Sequence, residues 1–210
     1  MSVNNRGAVT TRRTQAKQSF QNAAECIGSI TAGLSLFAVT RGQWSMIDAL
    51  LHCLDSVGTA EISLWTWTVA EYEVQCMERL MLDKRIKGAT LIVDYGARNK
   101  NRALLEKWQS IFGPYSVKLV VNHAKIATVT TDKFKLLLRG SMNLNFNPRF
   151  EQFDITEGGA DYDLIKELES ELEALPLGCA GSAVYKQSRV SDAFDQQTLD
   201  LFQGAKVWNK

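Results

Sequence analysis

Hydrophobic positions along the chain switch repeatedly between two spacings, and the switches lay out its elements. SLFAVT at 35–40 is a strand-like run closed by Arg41 and Gly42. In QWSMIDALLHCLDSV, Trp44, Ile47, Leu50, Leu51 and Leu54 recur at helical spacing. AEISLWTW (60–67) predicts a strand and 70–82 a helix. GATLIVDYG (88–96) predicts a strand punctuated by glycines, and NRALLEKWQSIF (101–112) a helix stopped by Gly113 and Pro114. SVKLVV (116–121) predicts a further strand.

Strands alternating with helices of this length imply βαβ units, hence an α/β fold with a mostly parallel sheet and helices on both faces. The alternation breaks at 121–152, VNHAKIATVTTDKFKLLLRGSMNLNFNPRFEQ. Runs at 123–131 and 135–140 flank Asp132 and Lys133 with no room for a helix, so they predict a β-hairpin. A strand at 152–157 and a Glu- and Leu-rich helix at 161–175 close the unit at Pro176. Residues 177–210 are mixed, with a short helix possible around 191–203. The expected organisation is a polar basic tail at 1–25, one domain at 26–175 and an extension at 176–210.

The composition changes this picture little. With 45% hydrophobic and 22% charged residues in 210, the chain can bury a full core. A net charge of +1 argues against coating nucleic acid through bulk charge but leaves room for a local basic groove. The cysteines at 26, 53, 76 and 179 show no metal-ligand pairing and are expected to be reduced core thiols. The apolar stretch 27–39 is too short to span a bilayer, which needs roughly 20 residues, and reads as a buried strand with its lead-in. A cytoplasmic protein with no membrane association is expected.

The chemistry concentrates in the hairpin. The chain has only two histidines, and His123 lies two residues before Lys125. Residues two apart on a strand share a face, as Ser141 and Asn143 would if the second strand ran that far. Register decides whether the pairs meet. A two-residue loop at Asp132 and Lys133 sets Lys125 opposite Gly140 and turns Ser141 and Asn143 away. A three-residue loop, or an equivalent bulge, gathers all four on one face, and the site as read requires it. Together they suit a phosphoryl group: imidazole as nucleophile or acid/base, ammonium and amide on phosphate oxygens, and Gly140 for close backbone approach.

At these residues the sequence resembles the phospholipase D superfamily, whose pattern is His-x-Lys, a spaced Asp, then Gly-Ser/Thr-x-Asn. Here it reads HAK (123–125), Asp132 and GSMN (140–143), followed by Asn145, Asn147 and Glu151. Six residues rather than four separate Lys125 from Asp132, so Asp132 is expected in the hairpin turn. The resemblance implies a phospholipase D-like βαβ sandwich and a phosphodiesterase that uses no metal or other cofactor. It also implies a phosphohistidine on His123, phosphate held by lysine and asparagine, and Glu151 orienting the imidazole. With one motif copy, it implies a homodimer like the bacterial single-motif endonucleases, pairing His123 from each protomer. His52, inside a predicted helix, reads as a packing or surface residue.

The substrate stays open. Arg98, Lys100 and Arg102 follow a strand at the edge where α/β folds bind ligands, and read either as a phosphate-tracking run or as a solvated helix start. Arg6, Arg12, Arg13 and Lys17 read either as an arm on DNA or as a polar tail. Trp65 and Trp67 suit base stacking or core packing. A nuclease acting on nucleic acid, most simply DNA, is the leading reading. A phospholipase or phosphatidyl transferase and a non-catalytic binding or structural protein are the alternatives.

Overall fold

The computed structural model describes residues 15–18, 22–142, 144 and 148–176. Eight strands form one sheet: β1 (Gln15–Gln18), β2 (Ser35–Thr40), β3 (Ala60–Thr66), β4 (Ile86–Asp94), β5 (Val117–Val120), β6 (Ile126–Thr130), β7 (Lys135–Gly140) and β8 (Glu151–Glu157). Six helices accompany them: α1 (Ala23–Ile27), α2 (Met46–Val57), α3 (Glu71–Leu82), α4 (Ala97–Lys100), α5 (Arg102–Phe112) and α6 (Ala160–Glu171). The long elements follow the hydrophobic periods closely. Ser45 shows why α2 starts where it does: its side chain caps the Asp48 N–H while Asp48 accepts from the Ser45 N–H at 2.7 Å.

The strand order is β1-β2-β8-β7-β6-β3-β4-β5. The expected mostly parallel sheet is corrected to a mixed one. Pairs β1–β2, β3–β4 and β4–β5 are parallel, whereas β2–β8, β8–β7, β7–β6 and β6–β3 are antiparallel. The cause is topological. The β6-β7-β8 meander inserts between β2 and β3, so its two internal pairings and both of its junctions are antiparallel.

Helices do lie on both faces. Leu91 and Val93 of β4 enter the main core, while Ile92 between them enters a second, smaller one. The main core joins β2, β6, β7 and β8 to α1, α2, α3 and α5, with Trp44 edge-on to Phe153 at 4.8 Å. The smaller core packs Trp65, Ile92 and Val120 against Ile165 and Leu172. There α6 is pinned by a buried carboxylate. Glu169 accepts from Trp65 Nε1 at 2.8 Å and from the Ser63 and Lys166 side chains. Ser63 in turn meets Thr128 Oγ1 at 2.6 Å. Lys118 donates to the Glu169 carbonyl; burial pushes its pKa down, and the Glu169 carboxylate opposes that shift.

Three features depart from the sequence expectation. Residues 15–18, within the expected polar tail, add an outer strand parallel to β2. Helix α6 stops at Glu171 because 174–175 pair instead with the free edge of β5, through a Lys118–Ala174 bridge and a 2.7 Å bond from Leu175 N to Val117 O. Strand β6 begins at Ile126, leaving His123 and Lys125 ahead of it. Cys26 and Cys53 are buried, with burial pushing the Cys53 pKa up to about 12, and Cys76 is half-buried. Among the described residues no helix is long and apolar enough to cross a membrane. The possible helix at 191–203, Cys179, Arg6, Arg12 and Arg13 lie outside the described residues.

Replacing Glu169 by Ala would leave the Ser63 hydroxyl and Trp65 indole short of a buried acceptor. Unfolding in urea should show a loss of about 2 kcal/mol or more. An unchanged midpoint would mean that α6 is held by apolar contact alone.

Candidate functional site

The candidate residues come from one edge of the sheet. The parallel strands β2, β3, β4, β5 and β7 end there, and β6 and β8 begin there. Because β5 and β6 stand on opposite sides of β3 and β4, the chain must cross the ends of those two strands between residues 121 and 125. Asn122 organises the crossing. Its N–H donates to Asp94 Oδ2 at 3.0 Å, and its Nδ2 donates to the Thr66 carbonyl at 3.0 Å. Its Oδ1 accepts from Ala124 N at 2.8 Å, closing an Asx turn around His123. Asn122 is buried, and the two residues after it are pushed to the surface.

His123 is exposed, with its ring tilted against Trp67 at a centroid distance of 5.8 Å. Lys125 is half-buried, and its Nζ folds back to donate to the His123 carbonyl at 3.1 Å. The ammonium thus stays beside the His123 backbone, although not through regular strand geometry. Lys125 also touches the second half of the motif, since its carbonyl accepts from Gly140 N at 3.2 Å.

The hairpin register corrects the expected odd loop. Thr130 pairs with Lys135 and Ile126 with Arg139, without a bulge. The loop is the two-residue Asp132–Lys133 form, because Thr131 fixes it. Thr131 N donates to Phe134 O at 2.9 Å, and Thr131 Oγ1 accepts from Lys133 N and Phe134 N at 3.2 and 2.9 Å. Lys125 therefore faces Gly140, and Ser141 falls out of step with it. The Ser141 hydroxyl donates to Glu151 Oε2 and accepts from Gln152 N at 2.9 Å. Asp132 sits in the turn at the opposite sheet edge, roughly 20 Å along the strand from Lys125.

Glu151 is 8% exposed and opens β8. Among the described residues its carboxylate takes its hydrogen bond from Ser141 rather than from the imidazole. Gly140 has a backbone reason to be glycine: a Cβ there would stand 2.5 Å from the Gln152 carbonyl oxygen. Met142 and Leu144, the neighbours of Asn143, are core residues, and the Leu144 carbonyl accepts from Ile47 N at 3.3 Å. Asn143, Asn145 and Asn147 lie outside the described residues.

The basic run after β4 divides. Arg98 is 7% exposed, its guanidinium lying over the Tyr95 ring at 5.4 Å and donating to the Tyr95 hydroxyl. Arg102 pairs along its own helix with Glu106 at 2.9 Å. Lys100 is exposed and makes no ion pair among the described residues. The other histidine is structural, with His52 Nε2 2.7 Å from the carbonyl of Gly28 at the end of α1. Trp65 belongs to the core and Trp67 to the surface.

No family model matches the chain, and neither does any curated protein. A solved structure similar to it is the polyphosphate kinase of Porphyromonas gingivalis, at 16% identity and a TM-score of 0.45. The alignment covers 82% of this chain and 32% of that one, so this chain spans about a third of that protein's length. So loose a likeness does not place the chain in a family.

Sequence reasoning missed Asn122 and Asp94, whose signal is weak: a single Asx residue at each of two strand ends. It also missed Phe150, 68% exposed with the Arg41 guanidinium 5.3 Å from its ring centroid. Two substitutions separate scaffold from chemistry. Gly140→Ala should cost about 1–3 kcal/mol in urea unfolding, because backbone must move. His123→Ala should leave stability within about 0.5 kcal/mol of the wild type, since the ring is exposed and its contact with Trp67 is loose.

Proposed function

We propose that the chain is a metal-independent phosphodiesterase that cleaves nucleic acid through a phosphohistidine on His123. The observation that carries this reading is the exposed imidazole on the sheet edge, with the Lys125 ammonium folded to within 3.1 Å of its backbone carbonyl. A nucleophile needs access to phosphorus, and a nearby cation stabilises the charge that gathers on the non-bridging oxygens.

The reaction runs in two displacements. An imidazole nitrogen of His123 attacks phosphorus while the bond to the leaving oxygen breaks. That oxygen takes a proton from a second imidazolium, which becomes neutral. Water then attacks phosphorus and gives its proton to the second imidazole, and the P–N bond breaks with its electron pair returning to His123. His52 is bonded to Gly28 within the fold, so the second ring must come from His123 of another copy. Lys125 serves as the phosphate-binding cation, and Asn143 and Asn145 are proposed as amide donors. Ser141 acts as a positioning residue that ties the end of β7 to Glu151 and β8. Lys100 and Arg102 border the edge as secondary phosphate contacts.

Purified full-length protein should cleave DNA or RNA in EDTA, and His123→Ala should lower the rate by roughly a thousandfold or more. An alkaline quench should retain a phosphorylated His123, and light scattering should give the mass of a dimer. Activity that needs added divalent metal, or that survives the substitution, refutes the reading. Headgroup release from phospholipid vesicles without nucleic-acid cleavage would move the same chemistry to lipid. Nucleic-acid binding without turnover at any pH would make the protein a non-catalytic member of the fold.

A further inference from the structure

The sheet edge carries more exposed aromatic surface than a small phosphodiester requires. Trp67 follows the end of β3 and is 52% exposed; Phe150 precedes β8 and is 68% exposed. In the strand order the strands that carry them flank β6, which Lys125 leads into. In the strand order β8-β7-β6-β3, three spacings separate the strands that carry them, about 14 Å at the usual interstrand distance. Each ring has a partner of matching chemistry. Trp67 lies against the His123 imidazole at 5.8 Å, and the Arg41 guanidinium stands over Phe150 at 5.3 Å.

We propose that this edge takes single-stranded nucleic acid, with bases stacked on Trp67 and Phe150 to either side of the phosphate presented to His123. The inference rests on the nuclease reading for the identity of the phosphate, and adds the strand state and the residues that select it. Three features support it. Aromatic rings accept any base whose face is open, and only an unpaired strand offers open faces. Cations are interleaved with the rings, Arg41 and the exposed Arg149 beside Phe150 and Lys125 between the two aromatics, as a phosphate backbone running from one ring to the other requires. The span of about 14 Å suits a few extended nucleotides, whereas a duplex would present phosphates to the rings and keep its bases stacked inside. A lipid surface fits less well. Among the described residues Val121 is the exposed large aliphatic residue at this edge, and the guanidinium over Phe150 would have to enter the bilayer with it.

Binding is measured by fluorescence anisotropy in EDTA, on full-length His123→Ala protein, so that cleavage plays no part. The probes are labelled oligothymidylate, the same strand annealed to oligoadenylate, and anionic phospholipid vesicles. Single strand should bind at least about tenfold more tightly than duplex. Adding Trp67→Ala or Phe150→Ala should each weaken single-strand binding by about tenfold and leave duplex binding within about twofold; Trp67→Phe should restore most of the loss. Circular dichroism melting of every variant confirms folding, and both aromatics are exposed enough to be removed without unfolding.

Equal or tighter binding of duplex, loss of both affinities together in the alanine variants, or preference for vesicles would overturn the proposal. Its failure differs from failure of the nuclease reading. Wild-type protein that binds single strand through Trp67 and Phe150 without cleaving it sinks only the chemistry. Cleavage with unchanged binding in both alanine variants sinks only the stacking.

Discussion

The Asn122 amide determines which residues of the crossing reach the surface. Strand β5 lies at the sheet margin and β6 lies three strands inward, so the connection must cross the carboxyl ends of β4 and β3. A crossing segment buried over strand ends exposes its own polar backbone to unsatisfied neighbours, which costs free energy unless each group finds a partner. Asn122 supplies those partners in one residue, reaching Asp94 on β4, Thr66 on β3 and Ala124 in its own turn. Because it points inward, the next residue has to point outward. His123 is exposed as a consequence of how the crossing is satisfied.

The second half of the site depends on a close backbone contact. The meander β6-β7-β8 bridges the two sets of parallel strands, and at Gly140 it brings two chains closer than any side chain permits. That approach lets Ser141 bond both the Glu151 carboxylate and Gln152 N, which fixes where β7 ends and β8 begins. Gly140 N also reaches the Lys125 carbonyl. The crossing that carries His123 and the meander that carries Gly140 and Ser141 therefore meet at Lys125. A glycine and a serine that look like phosphate ligands in sequence work first as the joint between these pieces.

Most elements were legible because their hydrophobic period matches their burial: α2, α3 and α5 on one face, and β4 with Val93 and Ile92 facing different cores. What was not legible depends on partners distant in sequence. Strand polarity needs the meander's position in the order, which no local pattern encodes, so a mostly parallel sheet was expected where a mixed one forms. Loop parity turns on one Thr131 hydroxyl accepting two N–H groups. Arg98 reads as surface charge until Tyr95 is seen covering it. Phe150 has no periodic neighbours to mark it, whereas His123 and Lys125 announce themselves by residue type alone. Candidate residue types were thus easier to read than the geometry that places them.

An exposed imidazole is accessible but electrostatically weak, since water beside it screens the Lys125 charge and competes for the phosphate. On the proposed reading, one event removes both drawbacks. A second copy laid over the edge excludes water, which strengthens every charge–phosphate contact beneath it, and brings the acid that the first copy lacks. The same covering would hold a strand between the two copies, with its bases on the aromatic rings and its phosphate between two rings of imidazole. Openness in the single chain is then a requirement of the design, because a site already sealed could admit neither the partner histidine nor a polymer longer than the pocket.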